Sequence, residues 1–252
     1  MSRSTQIHHR LMFSDLVGCV ASQSVSIEGP EARHLAKVKR ARIGETVGLL
    51  DGQGRLGIGT LTEIAGSNQR PVVTIALERI ETIEPTKPSI HICTPAPKGD
   101  RLERMIDQLT QIGVASWTPL ITDRSERDPA SIRQDRLDRI INEALKQCIR
   151  TSALAVHEPM TIAQALSQTD SMKAIVCDDS GDSSLGPIES GQAQILIGPE
   201  GGWSDQERAT FQESSIPTRR LGVHVLRLET AAVVAASLTL ANATPPQPIG
   251  DD

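Results

Sequence analysis

Hydrophobic and polar positions in the first third of the chain predict a small β-rich unit. Short runs of aliphatic residues are separated by glycine, proline and polar residues, a pattern typical of short strands joined by turns. The predicted strands cover residues 25–27, 46–50, 56–61 and 71–77. One helix is predicted over residues 31–42, with Leu35 and Val38 on its apolar face.

After residue 84 the pattern changes to alternating strands and helices. Residues 84–88 contain two prolines, which interrupt regular structure and indicate a linker. Beyond them, strands predicted at residues 89–93, 115–120, 174–177 and 195–197 alternate with helices predicted at residues 100–112, 131–150, 162–166 and 231–243. Such alternation is typical of a mostly parallel sheet covered by helices. We therefore predict two domains, residues 1–84 and 85–244, and a disordered tail, residues 245–252.

Residues 195–207 predict a strand, a glycine-rich loop and a capped helix in immediate succession. The adjacent Gly201 and Gly202 permit left-handed backbone conformations or the close approach of a ligand. Ser204 lies three residues before Glu207, which is the spacing of a capping box. Open α/β folds bind small ligands where a strand gives way to a helix, so this loop is a candidate site. A strand-to-helix turn without a ligand is the alternative.

A second block, residues 221–232, places another glycine, Arg227 and the sequence Glu-Thr at the mouth of an apolar helix. The Gly-Pro-Glu-Gly-Gly loop that begins at Gly198, followed by this Leu-Gly…Leu-Arg-x-Glu-Thr-Ala stretch, resembles the ribosomal RNA small subunit methyltransferase E (RsmE) family. The resemblance extends to residues 31–35, 38–40, 98–101 and 112–114.

The resemblance implies a fold and an activity. The second domain would be a SPOUT-type α/β domain with a parallel sheet and a C-terminal trefoil knot, preceded by a PUA-like RNA-binding β-barrel. The activity would be methylation of N3 of a uridine in small-subunit (16S) ribosomal RNA, free or in the assembled subunit, with S-adenosyl-L-methionine as methyl donor. The methyl carbon of that donor is already a strong electrophile, so no metal is expected.

The resemblance also assigns roles to residues. The donor would be held by Leu196, Gly198, Pro199, Glu200, Gly201, Gly202, Leu221, Gly222 and Leu226. Glu200 would bind a ribose hydroxyl or complement the positive end of the following helix. Arg227 would be catalytic by stabilising negative charge that develops on the base, and the alternative for Arg227 is an ion pair with Glu229 or Glu200.

The charge distribution allows an RNA partner despite a formal net charge of −5. Residues 1–80 contain 10 Lys and Arg against 7 Asp and Glu, and residues 33–42 form a basic stretch without an acid. Local charge decides phosphate contacts, because salt screens charges beyond about 8–10 Å. The residues predicted to contact RNA are Arg33, Lys37, Arg40, Lys98, Arg101, Arg150 and His224. An ordinary solvated face is the alternative for the basic stretch.

Several positions depart from the family pattern. His224 stands where the family has Arg, Lys146 where it has an acid and Ile149 where it has Gly, and the Lys usual near Leu109 is missing. These departures keep open a second function, that of a catalytically inactive ribosomal RNA-binding or assembly protein. A nucleotide-dependent enzyme is disfavoured, because Glu200 would repel a phosphate bound in the glycine loop.

The remaining composition yields four further predictions. The four cysteines are far apart and fit no zinc or redox spacing, so no metal site is predicted. The absence of a secretory leader and of a run of 18 apolar residues predicts a cytoplasmic protein without a membrane partner. Residues 52–57 match a dinucleotide-binding pattern, but a strand-like alternation follows, so a hairpin is predicted there. The apolar faces of the helices at residues 131–150 and 231–243 predict a homodimer.

Overall fold

The computed structural model describes residues 6–67, 69–167, 172–181 and 183–244. These residues form two compact units. The first runs to Pro85 and also contains Leu145–Ala153, whereas the second comprises Thr86–Ala144 and the described chain from Leu154 to residue 244. Residues 83–88 form neither helix nor strand, as their prolines predict. The predicted tail lies outside the described residues.

The first unit is built on a five-stranded sheet. Its strands are β1 (His9–Met12), β2 (Ser24–Ile27), β3 (Thr46–Leu50), β4 (Arg55–Gly66) and β5 (Pro71–Thr82). Their order is β1-β3-β4-β5-β2, and all neighbours are antiparallel except β1 and β3. The four predicted strands are confirmed. β4 and β5 continue beyond their predicted ends, and β1 was not predicted.

The helix predicted in the first unit differs from the helix that the structure shows. Helix α1 (Gly29–Arg33) is followed by a π-helical segment (His34–Lys39) that ends at Arg40 in the left-handed conformation, φ 52°. Leu35 is fully buried as predicted, but Val38 is 67% exposed. The prediction for Val38 is wrong because π-helical winding places more residues in each turn than an α-helix and so rotates this side chain away from the core.

The predicted hairpin at residues 52–57 is confirmed. It joins β3 to β4, with Leu50 opposite Leu56. Gly52 and Gly54 adopt φ values of 75° and 105°, which side chains rarely tolerate. These glycines therefore serve a chain reversal and not a dinucleotide.

The second unit contains an all-parallel sheet, as predicted. Its strands are β6 (Ser89–Thr94), β7 (Ser116–Ile121), β8 (Ala155–Val156), β9 (Met160–Thr161), β10 (Lys173–Cys177), β11 (Ser183–Ser184), β12 (Gln192–Ile197) and β13 (Thr218–Arg220). The order is β11-β13-β10-β12-β6-β7-β8, and β9 also pairs with β7. The central strands β6, β10 and β12 are almost entirely buried, which is expected where helices cover both faces.

The helices that begin in the second unit start and end close to the predicted positions, and the last turn of α3 belongs to the first unit. They are α2 (Arg101–Ile112), α3 (Gln134–Cys148), α4 (Ile162–Leu166), α5 (Asp205–Glu213) and α6 (Leu228–Thr239). α6 begins three residues earlier than predicted, and it packs against α2, β6 and β12. No helix in the described part of the chain is both long enough and apolar enough to cross a membrane.

Candidate active site

A cavity of about 660 Å³ lies at the carboxyl ends of β10, β12 and β13. These three strands are parallel neighbours, so the loops that follow them meet at one edge of the sheet. The cavity is lined by residues 177–179, 197–203 and 220–226, together with Arg208 of α5 and Leu228 and Ala231 of α6. Both glycine blocks recognised in the sequence thus contribute to one cavity.

The predicted donor residues can be compared with this lining. Eight of the nine line the cavity, namely Gly198, Pro199, Glu200, Gly201, Gly202, Leu221, Gly222 and Leu226. Leu196 does not, because its side chain is fully buried in a core cluster with Cys93 and Val176. Its backbone lies between two neighbouring strands, opposite the same two residues. Leu196 therefore has no surface to offer a ligand.

Only one of the two adjacent glycines adopts a backbone conformation that favours glycine. Gly202 has a φ of 68°, whereas Gly201 does not have a positive φ. A Cβ on Gly201 would meet only the flexible side chain of Arg124, at 3.4 Å. The left-handed position predicted within this pair is therefore Gly202.

The loop after β12 is held in place by residues from the loop after β7. The Arg124 Nη1 donates to the carbonyl oxygen of Gly201 at 2.7 Å. The Ser204 hydroxyl donates to Asp123 Oδ2 at 2.5 Å, and the Asp123 amide donates to Glu207 Oε1 at 3.0 Å. Ser204 and Glu207 also form the predicted capping box at the start of α5. These contacts fix the glycine loop before any ligand arrives.

An ion pair lies in the wall of the cavity. The Arg208 Nη2 is 3.0 Å from Asp178 Oδ2, and the Asp178 side chain is only 5% exposed. Asp178 Oδ1 accepts hydrogen bonds from the amide and the hydroxyl of Ser180. Burial alone would raise the pKa of Asp178, but the hydrogen bonds from Ser180 and Arg208 outweigh burial and lower it. The bond to Asp178 raises the pKa of Arg208, so both groups are charged at neutral pH.

Arg101 lies between two carboxylates. Its Nη1 is 3.1 Å from Glu200 Oε1 and 3.6 Å from Glu229 Oε2. It therefore joins the first turn of α2 to the glycine loop and to the first turn of α6. Glu229 Oε2 is buried and accepts no hydrogen bond from the described residues. One oxygen of Glu200 is engaged by Arg101, which restricts how its carboxylate can contact a ribose.

Arg227 is the N-cap residue of α6 and is exposed. It does not line the cavity, although its neighbours Leu226 and Leu228 do. The two carboxylates considered as alternative partners, Glu200 and Glu229, pair with Arg101. Within the described residues Arg227 makes no ion pair, so its guanidinium is available to a ligand.

Two further predicted RNA contacts lie in the second unit. His224 lines the cavity at its outer edge, between Val223 and Val225, which are 94% and 90% exposed. Lys98 is exposed and forms a 2.7 Å ion pair with Glu126 Oε2, also exposed. An exposed pair of this kind contributes little to stability and leaves the lysine able to exchange partners.

In the first unit, a groove of about 900 Å³ runs beside α1 and the π-helical segment. Arg33 and Lys37, two of the residues predicted to contact RNA, line it together with His34 and with Arg70 from the turn before β5. Arg40 is exposed but does not line the groove. The groove therefore gathers basic side chains from two separate segments, of which the sequence pattern identified only one.

Arg150 lies in the segment of the chain that returns to the first unit. Burial lowers the pKa of its guanidinium to about 10, which still leaves it protonated at neutral pH. It is only partly exposed, unlike most of the other residues predicted to contact RNA.

Two departures from the family pattern have structural counterparts. Lys146 Nζ is 2.8 Å from Glu31 Oε1, and only 10% of the Lys146 side chain is exposed. Glu31 Oε2 also accepts from the Met12 amide at 3.2 Å, so this carboxylate is held on both oxygens. An acid at position 146 would face Glu31 with a like charge, whereas lysine forms an ion pair.

Ile149 adopts a φ of 60° in a helix-ending turn. The Arg150 amide donates to the Leu145 carbonyl at 3.2 Å, the bond that closes a Schellman motif. That motif requires a left-handed residue after the helix, a position usually occupied by glycine. A β-branched residue there is strained, so the glycine expected from the family pattern has a clear conformational reason.

A family model described as an RNA methyltransferase domain matches residues 84–240, and an RNA methyltransferase PUA domain model matches residues 27–69. The first match covers more than half of the chain. The chain belongs to this family of RNA methyltransferases.

Individual relatives agree with the RsmE resemblance. The ribosomal RNA small subunit methyltransferase E of Synechocystis is 28% identical over 224 residues, covering 86% of this chain and 72% of that protein. A structure of the enzyme of the same name from Neisseria gonorrhoeae, bound to S-adenosyl methionine, has a TM-score of 0.80 and 24% identity, covering 93% of this chain and 97% of its own. A Legionella pneumophila structure with bound SAM has a TM-score of 0.77 and 23% identity, covering 97% and 100%. The predicted RsmE resemblance is confirmed, and so are the α/β fold with a parallel sheet and the PUA-like domain.

The cavity has a size and a lining that suit S-adenosylmethionine. Its volume lies within the range typical of small-molecule sites, about 300–1,000 Å³. Leu221 and Leu226 offer an apolar slot, and nothing lies within 4 Å of the position that a Cβ on Gly222 would occupy. The residues present therefore fit an adenosine with a charged side arm. The described residues contain no group of three or more metal-ligating side chains.

The RNA methyltransferase motifs did not identify every lining residue. Trp203, Asp178, Asp179, Arg208 and Arg220 all line the cavity and were not predicted to do so. Trp203 follows directly after the glycine loop, so its position was the available signal. The two aspartates follow a buried strand, where parallel sheets place functional polar residues. Nothing in the sequence pattern distinguishes Arg208 from an ordinary exposed residue of α5.

Proposed function

We propose that the protein transfers the methyl group of S-adenosyl-L-methionine to N3 of a uridine in small-subunit (16S) ribosomal RNA. The observation that carries this proposal is the joint lining of one cavity by both glycine blocks, in a chain that belongs to an RNA methyltransferase family. The names of its relatives support the ribosomal RNA substrate. The choice of N3 of a uridine rests on the RsmE resemblance.

The donor supplies a sulfonium-bound methyl group that needs no further activation. The task of the protein is then to hold donor and acceptor in line, which can contribute several kcal/mol to the lowering of the barrier. The fixed loop around Gly202 and the apolar Leu221 and Leu226 would hold the adenosine. Glu200, steadied by Arg101, would accept from a ribose hydroxyl through its remaining lone pairs.

Loss of the N3 proton leaves negative charge on the uracil ring. An arginine close to the ring would stabilise that charge in a site from which water is excluded. We assign this role to Arg227. Its exposure, its lack of an ion pair within the described residues and its position directly between Leu226 and Leu228 support the assignment.

RNA binding would use the two units separately. In the first unit, Arg33 and Lys37 line a groove that would receive the phosphate backbone, and Arg40 and Arg150 of the same unit would add positive charge. In the second unit, Lys98, Arg101 and His224 would contact RNA near the donor cavity. Because phosphate contacts release counterions, affinity should fall steeply as salt increases.

A homodimer and a trefoil knot complete the proposal. Val223 and Val225 are almost fully exposed at the edge of the donor cavity, an unusual cost for a chain that remains alone in water. A second copy of the chain would cover them. The knot rests on the SPOUT resemblance, and a cytoplasmic location follows from a ribosomal RNA substrate.

The alternative is an inactive ribosomal RNA-binding or assembly protein. The replacement of the family arginine by His224 at the edge of the cavity favours this alternative. An intact donor cavity argues against it, since a protein that only binds RNA has no need to bind the methyl donor.

Two measurements test the proposed function. Purified protein should transfer a radiolabelled methyl group from the donor to small subunits that lack the modification, and digestion with mass spectrometry should locate it on N3 of a uridine. Arg227→Ala should reduce turnover by about 100-fold or more while leaving donor affinity unchanged. Donor binding without any transfer to subunits or to free ribosomal RNA would favour the inactive alternative.

A further inference from the structure

The proposed function leaves part of the cavity wall unused. The glycine blocks account for the adenosine of the donor, but S-adenosylmethionine also carries an amino acid with an α-ammonium and an α-carboxylate. Charged side chains from the loop after β10 and from α5 line the same cavity, namely Asp178, Asp179 and Arg208. None of them lies in the motifs on which the RsmE resemblance rests.

The orientation of Arg208 is fixed by its surroundings. Its Nη2 donates to Asp178 Oδ2 at 3.0 Å, and Asp178 is itself anchored by Ser180. A Cβ on Gly202 would lie 3.8 Å from the same Nη2, so the guanidinium lies beside the left-handed turn of the glycine loop. Among the described residues, no hydrogen bond involves the Nη1 or Nε of Arg208. One edge of the guanidinium is thus held by the protein, and another is available.

This arrangement suits one part of the donor. An arginine guanidinium binds carboxylates through parallel hydrogen bonds, and pre-orientation by a buried acid reduces the entropy lost on binding. Asp178 and Asp179 make the surroundings acidic, so a simple anion would gain little there. A zwitterion is different, because its ammonium group is attracted by the same aspartates.

We propose that Arg208, oriented by Asp178, binds the α-carboxylate of the amino-acid portion of the methyl donor. The inference rests on the proposed function, since it takes S-adenosylmethionine as the ligand of this cavity. Arg208 would determine affinity and specificity for the whole donor and would take no part in the chemical step.

Ligands that differ only in the amino-acid portion test the proposal. Calorimetry would compare S-adenosylhomocysteine with 5′-methylthioadenosine, which has the same adenosine thioether and no amino acid. Arg208→Gln should weaken the binding of S-adenosylhomocysteine by about tenfold or more and leave the affinity for 5′-methylthioadenosine nearly unchanged. Decarboxylated S-adenosylmethionine retains the ammonium and lacks the carboxylate, so Arg208→Gln should affect it as little as it affects 5′-methylthioadenosine.

Arg104 provides a matched control. Its Nη2 forms an ion pair of the same length, 3.0 Å, with Asp100 Oδ2, but it is 74% exposed and does not line the cavity. Arg104→Gln should change neither affinity. Asp178→Asn should weaken S-adenosylhomocysteine as well, because Arg208 loses its orienting partner.

The outcomes distinguish a failure of the proposed role of Arg208 from a failure of the proposed function. If Arg208→Gln weakens the binding of S-adenosylhomocysteine and of 5′-methylthioadenosine equally, or weakens neither, the proposed role of Arg208 is wrong. Equal weakening of S-adenosylmethionine and its decarboxylated form would overturn the carboxylate as the contacted group. If the wild-type protein binds none of these ligands, the proposed function itself fails. An unchanged thermal unfolding temperature for each variant would show that the affinities were measured on folded protein.

Discussion

The indole Nε1 of Trp203 donates a hydrogen bond to the main-chain oxygen of Cys177 at 3.0 Å. This bond joins the end of the glycine loop to the end of β10, two of the three segments that surround the donor cavity. A Cβ on Gly198 would lie 3.0 Å from the Trp203 ring, and the ring packs edge-on against Phe211 at 4.9 Å. Trp203 thus packs beneath the glycine loop and holds the loop in position relative to β10.

Replacing Trp203 should disturb both stability and donor binding. Trp203→Phe removes the indole hydrogen bond to the Cys177 oxygen, so the free energy of unfolding should fall by about 1 kcal/mol beyond the loss of packing. Trp117 is an internal control, because it is equally buried and its Nε1 has no partner among the described residues. Urea unfolding and donor calorimetry should show a larger effect on both for Trp203→Phe than for Trp117→Phe. Similar losses in the two variants would mean that the hydrogen bond contributes little.

Adjacent glycines in the donor loop should respond differently to alanine. Gly202→Ala places a Cβ on a residue with φ 68°, which costs about 1–2 kcal/mol or shifts the loop, so donor affinity should fall by about tenfold. Gly201→Ala adds a Cβ that contacts only the Arg124 side chain, so the affinity of this variant for the methyl donor should change less. Calorimetry on the two variants makes the comparison. The reverse order would mean that ligand approach, not backbone conformation, sets the requirement for glycine.

Backbone strain at Ile149 should be measurable by a pair of substitutions. Ile149→Gly and Ile149→Ala remove the same packing, but only glycine relieves the left-handed conformation at φ 60°. The glycine variant should therefore be more stable than the alanine variant by about 1 kcal/mol in chemical denaturation. An alanine variant of equal or greater stability would show that the turn relaxes to another conformation.

The buried thiols should titrate late and react slowly. Burial raises the pKa of Cys177 to about 12 and that of Cys93 to about 11, so both remain protonated at pH 8. Ellman's reagent at pH 8 should label the partly exposed Cys19 and Cys148 in the native protein and all four cysteines only after unfolding. Because unfolded thiols ionise near pH 8.5, these two groups should lower stability only as pH rises above that value. Rapid native labelling of Cys177 would show that the loop after β10 opens.

Restoring the family arginine should strengthen RNA binding. His224→Arg adds a permanent charge and a rigid fork of donors at the edge of the cavity, so the slope of log affinity against log salt should steepen by about one. Gln212→Arg adds the same charge at an exposed position of α5 that does not line the cavity. Fluorescence anisotropy with a ribosomal RNA fragment should show a greater gain for His224→Arg. Equal gains would indicate nonspecific attraction and no defined contact at position 224.

The sequence predicted the sheets and the donor loop better than it predicted individual side chains. Strands such as β3 and β12 contain an apolar run next to turn residues, and the capping box at Ser204 depends only on local spacing. Strand β1 was missed because only Leu11 of its four residues is buried, so no apolar run marks it. Val38 was misplaced because π-helical winding has no signature in an α-helical periodicity.

Long-range pairs were beyond prediction for a different reason. Asp178 and Arg208 are thirty residues apart in the sequence, and each looks like an ordinary polar residue until the parallel strands bring them together. Lys146 and Glu31 are still further apart, although one of them was recognised as a departure from the family pattern. Charge pairing of this kind follows from tertiary structure and leaves no periodic trace.

The parallel pairing of β13, β10 and β12 also affects how the protein reaches its native state. Parallel neighbours require a crossover connection, so each of the three loops around the cavity comes from a separate crossing of the chain. Contacts between distant segments form slowly, and the last of the three strands to dock completes the cavity. A ligand that contacts all three loops cannot bind and stabilise a folding transition state in which one of the loops is not yet in place. We therefore expect the methyl donor to prolong the lifetime of the folded second unit without accelerating its formation.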